Sequence, residues 1–187
     1  MTRTNADRRW ARRYPTDRAA TPTYPEVGAT KPLALGEKDE PPAGYHYLRR
    51  TVRAGHGDTA FAQAREVVLG WGMQHRAGGE LYPPEVRPEE GRTALVITRL
   101  GPVPLVTPCR VVWRLDDDRH AGFGYGTLPG HPVRGEEAFL VTRDDSGDVW
   151  VTVLAFSRPA TWYAKLAGPL GRLAQRWTTA RYLSAIR

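Results

Sequence analysis

Gly122-Phe-Gly-Tyr-Gly-Thr-Leu-Pro-Gly-His-Pro-Val-Arg-Gly-Glu-Glu-Ala-Phe-Leu-Val141 reads as two strands joined by a stiff, sharply turned loop. Gly122–Leu128 and Glu137–Arg143 hold the apolar, β-prone residues. Between them Pro129, Gly130, Pro132 and Gly135 surround His131, and prolines and glycines so placed set tight turns. A preshaped loop that carries an imidazole and two adjacent carboxylates, Glu136 and Glu137, is where a ligand or a reaction would be placed. The glycines of Gly122-Phe-Gly-Tyr-Gly126 make no dinucleotide fingerprint. Thr127 stands where the third glycine is required, and no strand-to-helix turn follows. Glycine spaced along a strand marks instead a bulge or a close approach by another part of the chain.

Outward from this stretch, short strands continue in both directions. Gly44–Val52, Leu81-Tyr82, Thr93–Leu100, Cys109–Leu115 and Val149–Phe156 carry strand patterns, separated by turn residues such as Asp116-Asp-Asp118 and Asp144-Asp-Ser-Gly147. Successive short strands favour a meandering antiparallel sheet. One helix interrupts them. Asp58 or Thr59 is its expected N-cap, and Phe61, Ala64, Val68 and Leu69 recur at helical spacing up to about Trp71.

The chain closes on a second helical pattern from Pro159 to Arg187. Trp162, Leu166, Leu170, Leu173 and Trp177 form an apolar stripe, and Arg158, Lys165, Arg172 and Arg176 form a basic stripe about 90° away at 100° per residue. Gly168-Pro169 should kink or divide this helix. The order is strand, helix, a run of strands, then a long terminal helix. The expected fold is α+β: a curved antiparallel sheet that grips the long C-terminal helix and leaves room for a small ligand between them.

The 187 residues suit one domain, expected over 21–187, with a basic and flexible tail over 1–20. The net charge of +7 rests on 24 Arg and 3 Lys. Residues 1–20 carry +4 and residues 158–187 carry +6, which leaves −3 for the body between them. Basic ends could touch an anionic membrane surface weakly, or phosphate, although a solvated tail and helix face have the same charge. Nucleic acid is disfavoured, because neither helix-turn-helix spacing nor an aromatic RNA-binding signature is present. The start lacks a signal-peptide core and no run has the length of a membrane span, so a cytoplasmic location is expected. The single cysteine, Cys109, excludes an internal disulfide and suits a small buried apolar role.

Several motifs together resemble one family. They are Tyr24-Pro-Glu-Val-Gly-Ala-Thr30, the Trp71-Gly-Met73 helix end, Pro108-Cys-Arg-Val-Val112, the Gly122–Pro132 stretch with Gly135-Glu-Glu-Ala-Phe139, and Ala155-Phe-Ser-Arg-Pro159. Over residues 24–187 the chain resembles the bacterial and plant family named domain of unknown function nineteen-ninety. The resemblance implies no established activity. Its element order looks like the helix-grip fold of the START and Bet v 1-like proteins, which hold lipids or other apolar molecules between sheet and helix. A minority of those proteins are cyclases or hydrolases.

The expected function is therefore binding of a small apolar molecule or lipid in a cavity between sheet and C-terminal helix. Tyr125, Thr127, His131, Glu136, Arg158, Trp162 and Leu166 are the expected ligand contacts. One alternative is an enzyme of the same fold, a cyclase or hydrolase. His131 would be its general base and Glu136 or Glu137 the partner carboxylate. Another is a non-catalytic adaptor that uses the basic termini. No cofactor and no metal site is expected, since His131 and one carboxylate need a third ligand, for which His120 is the nearest candidate. Glu136 and Glu137 would point to opposite sides of a strand, so only one could enter a cavity. A carboxylate in such a turn also has a structural use, accepting backbone N–H bonds. Arg158, at the junction of last strand and last helix, could pair with either glutamate or receive an anionic ligand group.

Overall fold

The computed structural model describes residues 5–100, 103–160 and 182. In chain order its elements are α1 (Asn5–Ala19), α2 (Thr30–Leu35), β1 (His46–His56), α3 (Gly57–Leu69), α4 (Gly72–Arg76), β2 (Gly79–Tyr82), β3 (Thr93–Leu100), β4 (Val103–Asp116), β5 (His120–Thr127), β6 (Val133–Arg143) and β7 (Asp148–Pro159). The strands form one seven-stranded antiparallel sheet in the order β1-β7-β6-β5-β4-β3-β2. From β2 to β7 it is a meander of neighbours. The first strand crosses by way of α3 and α4 to lie beside the last.

The strands alternate between two buried faces. On β6, Glu137, Phe139 and Val141 point toward α3, while Glu136, Ala138 and Leu140 point toward α2. Phe123 and Tyr125 of β5 join the α3 face, as do Val149, Val151 and Val153 of β7. Helix α3 covers that face with Phe61, Ala64, Val68 and Leu69, the four residues that its spacing predicts. Each of the larger ones contributes about 1.5–3 kcal/mol when fully buried. The helix starts earlier than expected. His56, in extended geometry, is the N-cap, and Asp58 lies in the first turn, where a carboxylate favours the helix dipole.

The second face is covered too. Tyr24, Leu33 and Ala34 pack against Trp113, Leu140, Leu154 and Phe156. The first twenty residues, expected to be a loose tail, contain α1. Its Trp10 is buried with Leu95 and Ile97 of β3, and Tyr14 meets the Tyr82 ring edge-on at 5.6 Å and donates to the Thr93 carbonyl at 3.1 Å. Arg110 Nη2 donates to the Arg18 carbonyl at 2.5 Å. Charge dominates the composition of this segment, but Trp10 and Tyr14 lie four residues apart and give one helix face enough apolar surface to dock.

Strand β4 runs farther than its expected span and includes Pro104 and Pro108. It pairs with β3 from Val103 but with β5 only from Cys109. The prolines therefore fall where one side of the strand needs no N–H for a ladder. Past Val111 a bulge changes the phase, and Trp113 turns to the α2 face, opposite Gly124. The C-terminal helical pattern, with Trp162, Leu166 and the basic stripe beyond Arg158, lies outside the described residues except for Tyr182. Tyr182 is helical and buried against Phe139 on the α3 face. No helix among the described residues is long and apolar enough to cross a membrane.

Candidate functional site

The two adjacent glutamates of β6 have opposite surroundings. Glu136 is buried on the α2 face and has a full set of donors. Tyr24 Oη donates to Oε2 at 2.6 Å, the Gly28 N–H at 2.8 Å, and the Thr30 N–H to Oε1 at 2.9 Å. The Thr30 hydroxyl also bonds Oε1, and Trp113 Nε1 donates to that hydroxyl at 2.8 Å. These bonds tie the Tyr24–Thr30 segment to the sheet. Burial, and then the neighbouring Glu136 charge, raise Tyr24 far above the usual phenol range, so it remains a donor.

The strand glycines make this approach possible. A Cβ on Gly126 would collide with the Tyr24 hydroxyl, and one on Gly124 with the Trp113 indole. Gly126→Ala is expected to destabilise the protein by about 1–3 kcal/mol, the range for overpacking a buried contact. A thermal melt that matches the unmodified protein would show that Tyr24 does not need this gap.

Glu137, one residue on, faces the other way. Its Oε2 accepts a 2.5 Å hydrogen bond from Tyr125 Oη. Burial pushes its carboxyl up from 4.5 to about 7, against the opposing effect of that hydrogen bond. Burial and the Glu137 charge together raise Tyr125 and Tyr182, and burial raises Cys109 in the same way. These groups lie in an aromatic wall. Trp71 stacks on Tyr125 at 5.8 Å and meets Phe123 at 4.6 Å, and Phe139 lies 5.8 Å from Tyr125 and 5.4 Å from Tyr182. Glu137 keeps accessible surface although its ladder partners Tyr125 and Ala155 are buried.

Trp71, read from the sequence as a helix end and part of a motif, was not expected to line the site. It is the N-cap of α4, just past the end of α3, with φ at 58°, a left-handed conformation rare for a bulky side chain. Among the described residues its buried Nε1 has no hydrogen-bond partner, and neither has Nε2 of Gln74. The Trp71-Gly72 pair at a helix end was the available signal, but only the fold shows where the indole goes. Tyr182 was passed over, because it lies beyond the regular apolar stripe.

The other expected contacts are dispersed. His131 is half-buried in the β5–β6 turn, with Nδ1 3.2 Å from the Val133 N and 3.1 Å from its O. Burial lowers its pKa to about 4, although the Val133 backbone contact acts to raise it. It is neutral at pH 7 and has neither glutamate as a hydrogen-bond partner. A nitrogen-15 NMR titration should place its midpoint near 4, and a midpoint at the ordinary 6.5 would show that the turn is open to water. Thr127 is engaged structurally: its Oγ1 lies 2.7 Å from Thr23 Oγ1 and accepts from the Gly135 N–H. Arg158 is exposed and lies over the Tyr45 ring at 4.8 Å. That ring's hydroxyl donates to Glu26. Of the expected contacts, only Tyr125 joins Glu137, while Trp162 and Leu166 lie outside the described residues. His120 opens β5, at the far end of the strand from His131. Among the described residues, no three His, Cys, Asp or Glu side chains gather as metal ligands.

An antiparallel sheet of seven strands with helices against it has the helix-grip fold that the sequence predicts. The solved structure of Ara h 8.0201 superposes with a TM-score of 0.54 at 10% identity, covering 76% of this chain and 95% of that one. The chain belongs to the family described as Domain of unknown function (DUF1990), whose model matches residues 23–185. A UPF0548 protein of Deinococcus radiodurans is 38% identical over 147 residues, 72% of this chain and 73% of the relative. A UPF0548 protein of Arabidopsis thaliana is 29% identical over 140 residues, 71% and 67% of the two chains. Helix α1 precedes the matched region.

Proposed function

We propose that the protein binds a small, largely apolar ligand on the α3 face, beside Tyr125, Glu137 and Tyr182. The observation that carries this reading is an accessible polar group set in an otherwise apolar wall. Glu137 is only partly buried among buried aromatic rings, and among the described residues the buried indole N–H of Trp71 has no acceptor. An apolar site with a few convergent polar groups is how small-molecule sites are built. Buried polar groups without partners cost stability in the empty protein, and a ligand that satisfies them recovers it. The helix-grip class holds apolar molecules between sheet and helix, which supports the same reading by analogy.

This site differs from the one expected around His131. That imidazole is held in a turn, and Glu136 has all its donors on the other face. Glu137 takes the central polar role instead. The adaptor reading has support only from the charge of the chain ends.

The test is native mass spectrometry of the protein taken from its own cells, followed by denaturing extraction. A small apolar molecule is expected at near-equal stoichiometry in the unmodified protein. It should be lost in Ala155→Phe, which fills the α3 face opposite Glu137, while the far-UV circular dichroism stays unchanged. An empty protein that also shows no thermal shift with fatty acids, sterols or aromatic metabolites would sink the binding reading.

A further inference from the structure

Two arginines face each other at the end of the sheet that carries the β5–β6 turn. Arg134 of β6 is the ladder partner of Arg158 of β7, and both are exposed. They belong to the α2 face. Arg134 is two residues from Glu136, on the same side of β6. The Arg158 guanidinium lies 4.8 Å over the ring of Tyr45, which packs on that face against Phe156. Burial and Glu26 raise the Tyr45 phenol to about 12, and Arg158 and Arg134 both act to lower it. The two positive charges therefore share one corner, around one hydroxyl.

Like charges directly opposite on neighbouring strands destabilise a sheet. Elsewhere in this sheet Arg53 of β1, Arg114 of β4 and Arg143 of β6 each pair with an aspartate. Among the described residues neither Arg134 nor Arg158 forms an ion pair. Glu26, the acid of this corner, instead accepts from Tyr45 Oη at 2.6 Å. Outside the described side chains the sequence holds one acid, Asp7, and its helix α1 packs on β2 and β3 at the other edge of the sheet. The stretch 159–187 contains no Asp or Glu, so its side chains supply no counter-charge.

Opposed residues on adjacent strands have Cβ atoms about 4.5–5.5 Å apart, so two guanidinium forks held this way can close on one anion. A carboxylate fills a single fork. A phosphate monoester has oxygens for both, and a charge of about −1.5 to −2 at neutral pH. We propose that Arg134 and Arg158 form a phosphate-binding site on the α2 face, with a phosphate monoester held between their guanidiniums. The site lies across the sheet from Tyr125 and Glu137, and it does not depend on the ligand proposed for the α3 face. The monoester can belong to a soluble metabolite or to the head group of a phosphatidic acid, and the test separates the two.

The test is isothermal titration calorimetry of the full chain with glycerol 3-phosphate, in a buffer without phosphate or sulfate. Alongside it, the chain is floated with phosphatidylcholine vesicles that hold or lack phosphatidic acid. Saturable binding is expected, and it should weaken as salt rises. Arg134→Ala and Arg158→Ala should each reduce the affinity roughly tenfold, the worth of charge-assisted hydrogen bonds. Arg158→Lys keeps the charge but loses the fork, and should reduce it severalfold. Arg87→Ala, which removes another exposed arginine, between β2 and β3, should leave it unchanged. All of these replace exposed residues, and melting temperatures verify that each variant is folded. Binding of the soluble ester supports a metabolite site. Flotation that needs both phosphatidic acid and the arginine pair, without binding of the soluble ester, supports a lipid head group. No binding in either arm would overturn the proposal. So would acetate bound as tightly as the phosphate monoester, or a loss in Arg87→Ala as large as in Arg134→Ala.

Discussion

Replacing Glu136 by glutamine is expected to lower the folding free energy by about 3–5 kcal/mol, because it removes a buried charge from a full set of donors. The carboxylate accepts from the Tyr24 hydroxyl, the Gly28 and Thr30 N–H groups and the Thr30 hydroxyl. A carboxamide keeps one acceptor oxygen and turns an NH2 toward the remaining donors. The loss should spread. With Tyr24 and Thr30 released, the Tyr24–Leu35 segment loses its tie to β6, and the Trp113 indole loses the hydroxyl it donates to. Urea denaturation measures this as a lowered midpoint with little change in slope. A midpoint equal to that of the unmodified protein would mean that these bonds contribute nothing beyond what water offers the unfolded chain.

The neighbouring substitution, Glu137→Gln, is expected to act in the opposite direction at neutral pH. The folded protein binds the Glu137 proton more tightly than the unfolded chain, since burial moves its carboxyl from 4.5 to about 7. Below pH 4.5 both states are protonated and the group has no effect on stability. As pH rises from 4.5 to about 7, the unfolded chain sheds the proton and the folded one retains it, so stability falls. Above about 7 the loss is complete and amounts to about 3 kcal/mol. The amide has no proton to lose. Urea midpoints measured from about pH 4 to 8 should therefore diverge, with Glu137→Gln the more stable above pH 7 and the two proteins alike at the acid end. Parallel curves would place Glu137 in an ordinary aqueous setting. A residue that costs the empty protein stability and stays accessible is what a binding site would retain.

The two glutamates also mark how far the sequence could be read. That adjacent strand residues face opposite ways follows from the β period of two, and it holds here. Which of them enters the site could not be read, because both faces of β6 are apolar. Phe139 and Val141 continue from Glu137, and Ala138 and Leu140 continue from Glu136. Alternation identifies the inner side of a strand only when the other side is wet. Here α1 and the Tyr24–Leu35 segment cover that other side. His131 was prominent in the sequence for a related reason. Prolines and glycines around an imidazole mark a rigid turn, but rigidity says nothing about whether the ring faces a cavity or its own backbone.

Local signals, repeated at short range, determined the strand run, the buried face of α3 and the turns at Asp116–Asp118 and Asp144–Gly147. Periodicity and turn chemistry act over a few residues and are written in the order of the chain. Long-range contacts decided the rest. The bulge past Val111 sends Trp113 across the sheet, and the gap at Gly126 admits Tyr24. The left-handed turn at Trp71 places an indole among the rings beside Glu137. Those contacts join residues far apart in the chain, and the environment that raises one carboxyl and saturates its neighbour exists only once the chain has folded.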